Sequence, residues 1–164
     1  MRPSLLCAAA ALTMMPFGVS AETPEEVAAA ALEAAPVFDG HNDVPIQLRG
    51  RFGNIINEFD FEDTTGTGET HPRGSVMHTD LNRLRKGKVG AQYWSVYVPA
   101  SLEEPQAVQM TIEQIDVTKR LIERYPDDLQ LALTADDVEA ALAEGKIASL
   151  LGMEGGHSIG SSLA

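Results

Sequence analysis

His41 and Asp43 stand two residues apart, just after the short apolar segment Val37-Phe38-Asp39. Residues two apart in an extended chain point to the same side. An imidazole and a carboxylate would then be presented together, a pair suited to Zn2+. So short a pattern also arises by chance, and its commoner meaning is a hydrogen-bonded strand-end histidine beside a turn aspartate before Pro45. Glu154 ends residues 147–153, an apolar run with Ser149 as its one polar member. Such a run suits a strand buried on both faces, and a carboxylate at its buried end needs a cation or hydrogen-bond donors. The competing reading is an exposed loop glutamate. Gly155-Gly156 lets backbone approach whatever Glu154 binds. His157 reads as a supporting residue rather than a ligand, and His71 and His78, without partners at ligand spacing, read as surface histidines.

The elements that must position these groups are legible from pattern. Thr23-Pro24-Glu25-Glu26 has the cap, N1 proline and N3 glutamate of a helix start, continued by an alanine-rich run that Pro36 stops. Residues 37–39 are a short strand candidate. Residues 62–74, rich in Thr, Gly and charge, predict a surface loop. Thr79 is expected to cap a short helix ending near Gly87. Residues 90–98, aromatic and β-branched, predict a strand that holds Tyr93 and Trp94 in the core or in a pocket wall. The spacing of Val108, Ile112, Ile115, Ile122 and Tyr125 predicts a helix over 105–125 with that face buried. A strand over 129–133, a helix opened by Thr134-Ala135-Asp136-Asp137 and the 147–153 strand complete a β-α-β-α-β order. That order calls for parallel strands with right-handed crossovers, with chemistry at their carboxyl ends. Both His41-Asn42-Asp43 and Glu154 lie at such ends.

The chain has 164 residues, fewer than the roughly 250 of a closed eight-fold βα barrel. Its net charge of −12 argues against nucleic acid and anionic membranes as partners. The basic run Arg83-Leu84-Arg85-Lys86-Gly87-Lys88 reads as a solvated helix end. Residues 1–21 have a positive start, an apolar stretch and the small residues Val19-Ser20-Ala21, the pattern of a signal peptide. The mature domain, 22–164, would begin at Glu22 and be exported, periplasmic or secreted. Cleavage would remove Cys7, the single cysteine, and with it any disulfide or thiolate chemistry. No phosphate loop, dinucleotide glycine pattern, H-E-x-x-H or nucleophile-elbow serine is present.

Three segments carry a specific resemblance: Phe38-Asp39-Gly40-His41-Asn42-Asp43, Gly90-Ala91-Gln92-Tyr93-Trp94-Ser95-Val96-Tyr97 and Gly152-Met153-Glu154-Gly155-Gly156-His157-Ser158-Ile159. With Glu113-Gln114-Ile115-Asp116 and Tyr125-Pro126 between them, they resemble the membrane (renal-type) dipeptidase family of zinc peptidases, in the family's order, from about Val37 onward. The resemblance implies an α/β fold, the N-terminal part of a metal-dependent (β/α)8 TIM-type barrel. It also implies two Zn2+ ions bridged by a carboxylate and a water or hydroxide, acting on dipeptide substrates. His41 and Asp43 match the ligands of one zinc and Glu154 the bridge; His157 is not among the family's ligands. The remaining ligands and substrate-holding groups of the family fall beyond Ala164. The expectation is therefore a truncated barrel that is inactive alone. A homodimer is compatible with this reading, and a C-terminal membrane anchor is not determined by it. Two rivals stand beside it: another amidohydrolase acting on cyclic amides or esters, and a non-catalytic periplasmic binding protein.

Overall fold

The computed structural model describes residues 21–161 and Leu163. Most of the signal-peptide assignment therefore lies outside the described residues. Helix α1 (Pro24–Ala34) begins with the expected reciprocal cap between Thr23 and Glu26. None of its residues is buried, and a Glu33–Lys88 ion pair of 2.6 Å ties its end to the rest. Strand β1 (Val37–Asn42) runs straight into helix α2 (Val44–Phe52), which the sequence reading did not anticipate. Its signals were Pro45 in the first turn and Gly53 beyond the last, with φ 57°.

Helix α3 (Leu81–Lys86), strand β2 (Val89–Tyr97) and helix α4 (Glu104–Arg124) follow. Then come strand β3 (Leu129–Leu131), helix α5 (Ala135–Ala143) and strand β4 (Ile147–Glu154). All strand pairs are parallel, as the alternation requires, in the order β1-β2-β4-β3. β3 pairs only with Ile147–Ser149, so among the described residues the outer edge of β4 from Leu150 onward has no strand partner. It is also shorter than expected: Leu133 has left the sheet and is 79% exposed.

β2 lies between β1 and β4 and is buried along most of its length. One of its faces sends Trp94 into the main core, with Val44 and Leu48 of α2, Val117, Leu121 and Ile122 of α4, and Phe59 and Phe61. The opposite face carries a small alanine cluster (Ala91, Ala132, Ala141, Ala148) that seats α5 near the strands' N-terminal ends. A side chain at Gly90 would meet Leu142 and Pro36 at 2.7–2.9 Å, so this approach needs glycine.

Three expectations are corrected. The buried face of α4 consists of Ala107, Thr111, Gln114, Val117, Thr118, Leu121 and Ile122, whereas Ile112 is 62% exposed. Polar residues can be buried there because they are satisfied: Thr111 and Thr118 donate to the carbonyls one turn back at 2.8 and 2.7 Å. Gln114 reaches the Tyr97 carbonyl at 3.4 Å. Secondly, β4 is fully buried only over Ile147, Ala148 and Ser149, and its last two residues are exposed.

Thirdly, the N-cap of α3 is Asp80 and not Thr79, and the segment 62–74, expected as a surface loop, sends Thr64 into the interior. Thr64 and Asp80 are buried, and Asp80 accepts from the N–H groups of Arg83 and Thr64 at 2.8 and 3.1 Å. The Arg83 guanidinium adds an ion pair at 2.8 Å. In the same basic run Arg85 meets Glu62 and Asp128 at 2.7 and 2.5 Å, and Lys88 pairs with Glu33. Burial pushes the Asp80 carboxyl up, but the Arg83 and Thr64 hydrogen bonds outweigh it and hold it below the ordinary carboxylate range. Its contribution is thus present above the unfolded-state value of about 3.9 and is lost as pH falls through the lowered one. Asp80→Ala should cost about 1–3 kcal/mol in chemical denaturation at pH 7. The difference from wild type should shrink below about pH 4, and a pH-independent difference would refute this role for the carboxylate.

Candidate metal centre

β1 does not deliver His41 as a regular strand would. Its register against β2 is Asp39 to Gln92 and then Asn42 to Trp94, so β1 spends one residue more than β2 over Gly40-His41. Such a bulge re-aims a side chain at a strand end. Asp43 then occupies the N-cap of α2, with φ −88° and ψ 16°. The two side chains meet through this strand-to-helix turn, not through strand alternation: His41 Nε2 lies 3.2 Å from Asp43 Oδ1.

An N-cap aspartate ordinarily accepts a hydrogen bond from the helix's first turn. Asp43 makes none, and Pro45 lacks an N–H to offer. Asn42 does the local anchoring. Its Oδ1 accepts from Val44 N at 3.2 Å, and its Nδ2 donates to Thr79 Oγ1 at 3.0 Å and Gln92 Oε1 at 3.4 Å. Gln92 is itself fully buried and donates to the Asp39 and Tyr93 carbonyls. The Asp43 carboxylate is thereby free to face His41.

Glu154 arrives from β4, seven regular register pairs along β2, opposite Tyr97. Its Oε2 is 3.7 Å from His41 Nε2 and accepts from Ser95 Oγ at 2.7 Å. The expected burial of this carboxylate is corrected: its side chain is 47% exposed, and those of His41 and Asp43 are each 54% exposed. A hydrogen bond and solvent, not enclosure, accommodate the charge. Gly155 follows at φ 111°, and any side chain there would strike the His157 ring at 2.6 Å. His157 packs against this turn with its Nε2 buried and unpaired among the described residues, outside the donor cluster.

The donor atoms of His41, Asp43 and Glu154 lie within 4.8 Å of one another. Four ligands at zinc's bond lengths of about 2.0–2.2 Å are separated from each other by roughly 3.4 Å. The two His41 distances, 3.2 and 3.7 Å, bracket that value. One imidazole and two carboxylates at this separation fit a single divalent cation, which would also relieve repulsion between the carboxylates.

Beside the cluster lies a cleft of about 390 Å³, lined by Asp43, Gln47, Arg51, His71, Ser75 and His78 among others. His71 and His78, read from sequence as surface residues, are brought to the cleft wall but not into the donor set. Arg51 fastens that wall to α2, donating to Gln47 Oε1 at 2.7 Å and to the carbonyls of Thr67 and Ser75 at 3.3 and 2.6 Å. Ser95 and Arg51 escaped the sequence reading. A lone serine inside an aromatic strand was the only signal for the first, and nothing marked the second. Asp43→Ala should change stability by less than about 0.5 kcal/mol, because no capping bond is lost. Asn42→Ala should cost about 1–2 kcal/mol. Urea denaturation of both variants checks this, and a larger loss for Asp43→Ala would contradict it.

Known proteins resemble this chain in sequence and in fold. The model of the membrane dipeptidase family (peptidase family M19) matches residues 25–164. Dipeptidase 3 of Rattus norvegicus is 40% identical over 139 residues, 85% of this chain and 26% of that protein. Dipeptidase 3 of Mus musculus is 40% identical over 139 residues, 85% of this chain and 25% of its own length. This chain therefore spans about a quarter of the length of these relatives. Among solved structures, a metallo peptidase of Rhodobacter sphaeroides, liganded with a phosphinate mimic of the dipeptide L-Ala-D-Ala, superposes with TM-score 0.61 at 20% identity. That match covers 75% of this chain and 39% of the other. A dipeptidase AC of family M19 gives 0.59 at 20% identity, over 75% and 38%. These likenesses show the fold, that of part of a TIM-type barrel. By the family match over nearly its whole described length, the chain belongs to the M19 membrane dipeptidase family of metallopeptidases.

Proposed function

We propose that this chain supplies the His41–Asp43–Glu154 part of a two-zinc centre in a dipeptidase. The convergence of three donors at one end of the parallel sheet, at separations suited to one ion, carries the proposal. An imidazole with carboxylates suits Zn2+. Held by these residues, zinc would supply a water of lowered pKa and a polarised carbonyl, the two requirements of peptide hydrolysis. The chain's own residues would do the positioning: His41, Asp43 and Glu154 would hold the metal, and Asn42 and the β1 bulge fix the turn that carries His41.

Dipeptides are the proposed substrates. The relatives named as dipeptidases support this, as does the dipeptide mimic held by the Rhodobacter sphaeroides enzyme. The cleft volume is also in the usual range of about 300–1,000 Å³ for small-molecule sites. We further propose export by the leader at 1–21, supported by its sequence pattern alone. Mass spectrometry of the exported protein should then find Glu22 as its first residue.

The activity is proposed for a protein of the relatives' length. The 164-residue chain alone is expected to be inactive, because its described residues offer three donors for two ions. The test uses full-length protein purified without chelator. It should contain two zinc ions per chain and release free amino acids from dipeptides but not tripeptides. Chelation should abolish the activity and zinc restore it, and Glu154→Gln should lower kcat/KM by at least about 100-fold, the usual order for loss of a group acting on transition-state charge. Hydrolysis confined to cyclic amides or esters would replace the dipeptide reading. Zinc-free protein that gains no activity with added zinc would overturn the enzyme reading.

A further inference from the structure

We propose that Ser95 is a positioning residue for the metal centre: its hydroxyl locks Glu154 in the orientation that binds metal. The inference rests on the zinc reading above. Ser95 lies on the central strand, only 3% exposed, opposite Gly152 in the β2–β4 register. Tyr97 is opposite Glu154, so Ser95 and Glu154 are diagonal neighbours on one sheet face. Gly152 leaves no side chain between them, and the hydroxyl meets Oε2 at 2.7 Å.

An ionised carboxylate only accepts hydrogen bonds, so the serine proton is donated and its direction is set. Glu154 needs this hold. It is a half-exposed side chain with several rotatable bonds, followed by two glycines, and ordering it costs conformational entropy. Ser95 draws on a rigid source, a residue paired in register on a strand that is hydrogen-bonded on both edges. The bond also distinguishes the two oxygens. Oε2 is held by Ser95 and lies 3.7 Å from His41 Nε2, whereas Oε1 takes no hydrogen bond among the described residues. The hydroxyl thus commits one oxygen to the His41–Asp43 side and leaves the other free. It occupies one of the roughly four lone-pair sites of the carboxylate, so metal and serine do not compete.

Zinc affinity of the full-length protein, measured by competition with a chromophoric chelator, tests this apart from activity. Ser95→Ala should weaken zinc binding about 10–100-fold, the usual cost of removing a residue that orients a ligand. The melting temperature of the metal-free protein should hardly change. Ser95→Thr, which restores the hydroxyl, should recover most of the affinity. If Ser95→Ala does not fold, Ser95→Cys, similar in size with a weak donor, is judged by the same loss. Wild-type affinity in Ser95→Ala overturns the inference and leaves the zinc reading intact. Equal losses in Ser95→Ala and Ser95→Thr, both folded, overturn it as well. Wild-type protein that binds no zinc overturns both.

Discussion

β2 is hydrogen-bonded on both edges and buried on both faces, and each functional group is located by reference to it. On one edge the pairing with β4 is regular, which carries Glu154 to the level of Tyr97. On the other edge the pairing with β1 slips by one residue at Gly40-His41, which turns the imidazole towards Glu154. A shift of either register by one residue would move a ligand to the opposite face. Parallel pairing demands crossovers, and α4 provides the largest, covering the Trp94 face with a helix that satisfies its buried threonines internally.

The His41–Asp43–Glu154 donor cluster is not where the molecule's stability is concentrated. Its side chains are about half-exposed, and Asp43 forgoes the cap that its position would allow. Stability is placed around the site instead: in the Asn42–Gln92 contacts beneath it, the Thr64–Asp80–Arg83 network behind the cleft wall, and the aromatic core of Phe59, Phe61 and Trp94. A scaffold of this kind leaves ligands available to a cation without obliging the fold to depend on it.

The sequence made the order of elements legible from residue 90 onward, because aromatic and β-branched strands alternate there with well-capped helices. It also singled out His41, Asp43 and Glu154, whose donors the structure brings to one place. What it hid has physical reasons. The face of α4 was misjudged because threonines that bond one turn back can be buried, and no hydrophobic period records that. Asp80 displaced Thr79 as a cap because its partners are Arg83 and the distant Thr64. Glu154 seemed buried because the run before it is apolar, yet the strand emerges from the core over its last two residues. Ser95 and the cleft wall depend on contacts between segments far apart in the chain, and no local pattern encodes them.

Asp43 stands at the N-cap of α2 and Arg51 lies one residue before its end, so a proposed metal ligand and the clasp of the cleft wall share one short rod. The rod is about 13 Å long at 1.5 Å per residue and packs through Val44 and Leu48 into the core. A molecule that presses on the wall at Ser75 works against the same helix that carries Asp43. Any linkage between a cation and an occupant of the cleft through α2 would of necessity be reciprocal.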